Sequence, residues 1–260
     1  MSESLSIVIV NFQSRDYLKR CLKSLFTVIG PESEVLVINN DSSEDLSLLK
    51  GEFPRIKILE DDNTSLGKAW NLGIERSQGE VVWILNPDTE LVAGDMKKIL
   101  DEFKKNSRLA VVGPQLITAQ GESQSWSAGR DSSLWDVLLN NLGLVRSRKI
   151  WESPTAISAD WVSGAAFFVS RRIWERLRGF DEEIERYFED MDFCRRARKE
   201  GFLVMFFPEF KVKHYCGRSH KDKKAQKRVF YASQDYYFQK HLGRLQAFWL
   251  KVIRKIFLFS

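Results

Sequence analysis

Carboxylates set just beyond runs of branched apolar residues are the first chemistry legible in this chain. Asn86-Pro-Asp-Thr-Glu90 follows Val81-Val-Trp-Ile-Leu85, and Pro87 fixes the turn so that Asp88 points out of the edge that the strand defines. A hard cation suits such a carboxylate; bracing or capping a turn, which Asp does readily, is the other reading. A second cluster, Tyr187-Phe-Glu-Asp-Met-Asp-Phe-Cys-Arg-Arg196, puts Glu189, Asp190 and Asp192 within four positions at an expected helix start. Helix N-termini favour negative charge by roughly 0.3–1 kcal/mol, so capping would account for them. A carboxylate facing a cleft would instead accept a proton from a hydroxyl. His214 ends a short strand, either as a structural imidazole or as a ligand.

These side chains need a sheet to carry them. Ser6-Ile-Val-Ile-Val10, Val35-Leu-Val-Ile38, Ile56-Lys-Ile-Leu59 and Val81–Leu85 are short, largely β-branched runs. Tyr17, Leu18, Cys21, Leu22 and Leu25 recur at helical spacing after the first, and Leu66–Ser77 and Asp95–Lys105 are further helices. The rhythm predicts an α/β fold, a mixed but mostly parallel sheet flanked by helices. Such sheets bind ligands at the carboxyl ends of their strands. Here those ends are Asn11-Phe-Gln, Asn39-Asn40, Glu60–Asn63 and Asn86–Glu90. Neither a GxGxxG turn nor a GxxxxGK[ST] loop is present, which disfavours dinucleotide oxidoreductases and P-loop enzymes. Residues 115–158 lose periodicity but carry Trp126, Trp135 and Trp151. After them come an expected strand over 160–169 containing the small-residue turn Ser163-Gly164-Ala165, helices from Arg171 and over Glu189–Glu200, and strands over Leu203–Phe207 and Lys211–His214.

Composition bounds the rest. With 260 residues, 43% hydrophobic and 29% charged, the chain is neither a disordered tail nor a disulfide miniprotein. No stretch of eighteen uncharged apolar residues exists to span a bilayer, and the start lacks the marks of a secretory signal, so a cytoplasmic location is expected. Cys21, Cys194 and Cys216 show no metal or redox spacing and read as structural. Residues 1–194 hold 23 Lys/Arg against 31 Asp/Glu, and residues 195–260 hold 17 against 4. A basic end of net +13 would meet nucleic acid, anionic lipid or a phosphorylated substrate. In its last stretch Arg244, Lys251, Arg254 and Lys255 fall in one arc of roughly 100°, while Leu245, Phe248, Trp249, Val252, Ile253, Ile256 and Phe257 fill most of the remainder. That pattern describes an interfacial helix on anionic lipid, with a core helix or homodimer helix as the alternative.

In order, strand-end Asp88, Ser163–Ala165, acidic Glu189-Asp190 and late His214 resemble a family 2 glycosyltransferase of the GT-A fold, in its rhamnosyltransferase-like subgroup. The matching stretches are Asn86–Thr89, Ser163–Ala165 with Arg171-Arg172, Gly179–Glu182, Tyr187–Arg196 and His214-Tyr-Cys-Gly-Arg-Ser219. The resemblance implies a catalytic domain over 1–220, its nucleotide-sugar half over 1–113 and its acceptor half over 114–220, followed by a basic helical region over 221–260. It implies that Asp88 meets a divalent metal on the donor diphosphate, magnesium or manganese, with His214 as a further ligand favouring manganese. Gly164 would lie against a sugar. Asp190 would be the general base, with Glu189 orienting the acceptor or sharing that role. Asn11, Asn39 and Asn40 would hold the nucleoside, and Lys68 and Asn71 the diphosphate or ribose. The chain departs from the family pattern where Asn39-Asn40 stand for the usual Asp-Asn, Glu44 for a later Asp and Ser65 for a glycine.

The implied reaction is an inverting displacement that moves a rhamnose-like or other hexose from a dTDP- or UDP-linked donor to a glycan or lipid-linked glycan hydroxyl, at the inner face of a membrane. The alternatives are a nucleotidyltransferase of related fold and a basic nucleic-acid-binding protein. The first lacks its Gly-rich signature in Asn11–Asp16, and the second leaves Asp88, Glu189, Asp190 and His214 unexplained, so no nucleic acid is expected.

Overall fold

β-branched residues that must be covered on both faces dictate the centre of the molecule. The computed structural model describes residues 4–215 and 223–258. Its β1 (Leu5–Asn11) is buried along its whole length, with Ile7 and Ile9 facing one hydrophobic layer and Val8 and Val10 the other. α1 (Arg15–Leu25), β2 (Glu34–Asn39), β3 (Ile56–Glu60), α3 (Leu66–Arg76) and β4 (Val81–Leu85) are the expected elements, and α2 (Ser47–Glu52) adds a short helix between β2 and β3. β3, β2, β1 and β4 pair in parallel. Leu18, Cys21, Leu22 and Leu25 of α1 seal one face, and Ala69, Trp70 and Ile74 of α3 the other.

β5 (Thr89–Ala93) follows Asp88 directly, then α4 (Met96–Lys105), capped by Asp95, and β6 (Leu109–Ile117). The aperiodic stretch holds β7 (Ala128–Gly129), α5 (Leu134–Asn141), α6 (Arg148–Trp151) and β8 (Ile157–Ser158). β9 (Trp161–Val162), β10 (Ala166–Ser170), α7 (Arg171–Arg176), α8 (Glu189–Lys199), β11 (Leu203–His214), α9 (Lys223–Leu242) and α10 (Arg244–Leu258) end the chain. The large sheet runs β3-β2-β1-β4-β10-β6-β11-β5, with β8 on β11. β10 is antiparallel to β4 and β6, whereas β11 is parallel to β6.

Three differences from the expected elements have local causes. The strand expected over 160–169 is two, because the Gly164 N–H leaves the ladder for the Asp190 carboxylate. The two strands expected over 203–214 are one, β11, whose register shifts between Phe207 and Lys211, where Pro208 has no N–H to give. β6 has Gly113-Pro114 in its middle, a pair that disguises a strand as a turn.

Candidate active site

β4 ends in a turn in which the Asn86 N–H donates to the Ala165 carbonyl at 2.9 Å and Thr89 Oγ1 donates to the Asn86 carbonyl at 2.7 Å. β5 then runs antiparallel to the end of β11 with Thr89 opposite His214, and the Tyr215 N–H donates to the Asp88 carbonyl at 3.0 Å. This register brings His214 Nε2 to 3.4 Å from Asp88 Oδ1. Two ligands bonded at ~2.1 Å to one cation stand ~3.0–3.4 Å apart, so the pair fits adjacent positions around a single ion. His214 Nδ1 lies 3.2 Å from Gln124 Oε1. With its proton on Nδ1 the ring is oriented by that amide oxygen and turns the Nε2 lone pair towards Asp88. Among the described residues no group of three or more His, Cys, Asp or Glu side chains is arranged for a metal, so substrate oxygens or water would complete a coordination shell here. Cys216, Gly217, Arg218 and Ser219 of the late motif lie outside the described residues.

α8 begins from a constrained backbone. Tyr187 and Phe188 have φ of 68° and 69°, a left-handed conformation that costs non-glycine residues about 1–3 kcal/mol each. Phe188 is held by packing on Tyr237 and Phe230 of α9. The turn aims the first helical carboxylates at the β9–β10 turn. Asp190 Oδ2 accepts the Gly164 N–H and Oδ1 the Met191 N–H, each at 2.7 Å. A Cβ at position 164 would stand 2.4 Å from Trp70 Cη2, so only glycine lets the backbone come this close.

Glu189 is 5% exposed and its Oε2 has no hydrogen-bond partner. Burial, and then the charge of Asp190, pushes its carboxyl up to about 8. Burial raises Asp190 too, but the Gly164 and Met191 amides favour its anion. Both carboxyls are therefore pushed towards holding a proton, Glu189 the more strongly because the two amides favour the Asp190 anion.

Asp192, the third acid of the cluster, is fully buried and serves packing. It accepts from His241 Nε2 at 2.7 Å, Lys240 Nζ at 2.6 Å and Arg196 Nε at 2.7 Å. Against the desolvation of burial, the His241 bond, Arg196 and Lys240 hold it well below the usual carboxylate range. This network bolts α9 onto α8.

Asp88, Gly164, Glu189, Asp190, His214 and Asn40 all line one cavity of about 940 Å³. Asn11 and Asn39 do not reach it: both are buried, with Asn11 Nδ2 on Glu44 Oε2 at 2.7 Å and Asn39 Nδ2 on Glu60 Oε2 at 2.8 Å. Glu44 also accepts from the Ser14 and Arg15 N–H groups, tying β2 to the start of α1. Asn40 clamps the backbone of Thr64 through both atoms of its amide. Lys68 is exposed on α3, away from the cavity. Asn71 braces the Gly179–Glu182 loop, donating to the Phe180 carbonyl and Glu182 Oε1 and accepting the Phe180 N–H. Gly179, at φ 76°, leaves room for that amide, since a Cβ would fall 2.7 Å from Asn71 Oδ1.

The cavity also has walls that the motifs do not announce. Phe12 and Ser14 stand at its β1 end, Trp126 and Arg130 come from the aperiodic stretch, and Gln226, Phe230, Tyr231, Leu250 and Arg254 from α9 and α10. In the sequence Trp126 is not set apart from Trp135 and Trp151, and the α9 residues sit among lysines, so neither marks this wall. Lys221 lies outside the described residues, as does the Phe257 side chain. Arg254, expected on the polar arc of the last helix, turns inward instead: it lies 4.1 Å from the Tyr231 ring centroid and donates to Gln234 Oε1 and Asp235 Oδ1.

An aspartate–histidine pair at strand ends and a glycine amide against a helix-start carboxylate thus face one cavity. The chain belongs to glycosyl transferase family 2, whose model matches residues 6–200. It is similar to a low-salt glycan biosynthesis hexosyltransferase of Haloferax volcanii, 25% identical over 208 residues that make up 78% of this chain and 64% of the relative. The chain thus spans less than two thirds of that relative's length. It is also similar to the N-acetylglucosaminyl-diphospho-decaprenol L-rhamnosyltransferase of Mycobacterium tuberculosis, 25% identical over 241 residues, 84% of this chain and 78% of the relative. The crystal structure of GalNAc-T7 with UDP, GalNAc and Mn2+ superposes with a TM-score of 0.66 at 17% identity, over 91% of this chain and 50% of that one. The fold is therefore GT-A, and family membership favours a glycosyltransferase over a nucleotidyltransferase or a nucleic-acid binder.

Proposed function

We propose that this chain transfers a hexose, rhamnose-like, from a dTDP- or UDP-linked donor to a hydroxyl of a glycan or lipid-linked glycan with inversion at the anomeric carbon. The observation that carries the reading is the Asp190 carboxylate, which accepts two amide N–H groups in the cavity that also holds Asp88 and His214. The acceptor oxygen forms its bond to the anomeric carbon as the bond to the diphosphate oxygen breaks. The electron pair leaves with the diphosphate, and the hydroxyl proton passes to Asp190. Glu189, carrying its own proton, donates a hydrogen bond and orients the acceptor. Asp88 and His214 would hold manganese or magnesium, a choice supported by their spacing and by the Mn2+ in the GalNAc-T7 complex. When bound, such an ion offsets the charge of the leaving diphosphate.

Among the described residues no helix is long and apolar enough to cross a membrane. The exposed Leu245, Phe248, Trp249 and Ile256 of α10 support a peripheral site on an anionic, cytoplasm-facing surface. Thermal melts with UDP-, dTDP- and GDP-sugars, with and without Mn2+, test the donor reading. One nucleotide sugar should raise the midpoint in a Mn2+-dependent way and yield its nucleoside diphosphate on turnover. No shift with any of them would sink it.

A further inference from the structure

The large apolar side chains left in solvent are concentrated on two elements that touch. On and just after α5, Trp135 is 72% exposed, Leu142 65% and Leu144 61%. On α10, Leu245, Phe248, Trp249 and Ile256 are exposed, and at 100° per residue they fall within about 100° of arc, turned away from the buried Leu250. α5 packs on α10, with Leu134 and Val137 against the cluster that contains Ala247 and Leu250. The two exposed sets therefore belong to adjoining elements rather than to separate regions.

Charge decides what would cover them. Arg244, Lys251 and Lys255 lie within about 40° of arc along one side of the apolar face of α10, which contains no acid. Arg146, Arg148 and Lys149 follow α5; Arg146 pairs with the buried Asp136, Arg148 with Glu152 and Lys251 with Asp235, so the charge offered outward rests on Lys149, Arg244 and Lys255. Lysine is depleted at protein–protein interfaces, whereas tryptophan and leucine flanked by lysine and arginine suit an anionic lipid headgroup layer.

We infer that 134–149 and α10 together form one lipid-docking face, with Trp135, Leu142 and Leu144 entering the headgroup layer beside Leu245, Phe248 and Trp249. The inference rests on the peripheral-membrane reading of α10 and adds to it a role for the aperiodic stretch. It also has a consequence for the acceptor. The inner sides of the same helices, through Val137, Asn140, Leu250 and Arg254, wall the cavity. Docking therefore sets the cavity about one helix diameter, ~10 Å, from the lipid surface, within reach of a short glycan carried by that bilayer.

The test is co-sedimentation of the full chain with vesicles of phosphatidylglycerol and phosphatidylcholine against phosphatidylcholine alone. It uses the wild type, a W135E/L142E/L144E variant and an L245E/F248E/W249E variant. All six positions are solvent-exposed, so both variants should keep the wild-type urea midpoint and the nucleotide-sugar shift. The wild type should sediment only with the anionic vesicles, and each variant should lose about tenfold or more in partition. Full retention of the first variant with release of the second overturns the two-element face while leaving the α10 reading intact. If the wild type ignores both vesicles, both ideas fall, and a dimer in light scattering that the second variant dissolves would identify a second copy as the occupant. Neither result touches the transferase reading, which the nucleotide-sugar shift reports separately.

Discussion

Glu189→Gln tests the proton at the centre of the site without needing a substrate. In the unfolded chain Glu189 titrates near its ordinary 4.5, and in the folded protein burial and Asp190 raise it to about 8. Between those values the folded state binds a proton that the unfolded state has lost, so stability falls as pH rises, by about 1.4 kcal/mol per unit for one proton. The full stabilisation is present below about 4.5 and is gone above about 8. From pH 5.5 to 7.5 this group alone should cost about 2–3 kcal/mol. Gln keeps the size and the neutral state of protonated Glu but cannot ionise, and Asp190 retains its two amide donors in the variant. Urea unfolding should therefore show wild type and variant alike below about pH 4.5, with the variant pulling ahead by about 2–3 kcal/mol more between pH 5.5 and 7.5. Titrating groups outside the Glu189–Asp190 pair are common to both proteins and cancel in the difference. Two parallel stability curves would refute the proposed proton location.

The remaining expectations follow from neighbouring contacts. Asp190→Asn should leave nucleotide-sugar binding within about threefold yet lower kcat by about 10²–10⁴-fold, as loss of a general base does; a near-normal kcat would pass the base role to Glu189. Asp88→Asn should abolish Mn2+-dependent turnover, and Gln124→Met, which removes the amide oriented on His214, should weaken Mn2+ binding by about 10–100-fold when followed by electron paramagnetic resonance. Gly164→Ala should cost about 1–3 kcal/mol in urea unfolding by forcing Trp70 away from the turn. Asp192→Ala, which strips the buried partner from His241, Lys240 and Arg196, should cost about 3–5 kcal/mol at neutral pH. The loss should shrink in acid, where protonation of Asp192 removes the same stabilisation from the wild type.

Local rules were sufficient for the amino-terminal half. Continuous runs of branched residues and apolar residues at helical spacing do not depend on distant partners, so β1 to β4 with α1 and α3 stand where the pattern puts them, whereas the short α2 has no such pattern. Motif spacing likewise named Asp88, Gly164, Glu189, Asp190 and His214, which the fold gathers into one cavity. Asn11, Asn39 and Asn71 show the limit of that approach. Polar residues at strand and helix ends look alike in a sequence whether they face a ligand or brace a loop, and the bracing partners of Asn71 lie more than a hundred residues away.

What the sequence determined by itself was therefore chemistry and layer: which groups can bind a cation or take a proton, and which segments are strands. What only the tertiary structure decided was pairing. The β5–β11 register sets His214 beside Asp88, the Gly164 amide selects Asp190 from three adjacent acids, and α9 turns Asp192 into an anchor. α5 and α10 owe their shared wall to the same cause. Each of these contacts joins segments whose neighbours in the chain give no hint of the other, because hydrogen-bond register and burial are properties of the closed fold rather than of any local stretch.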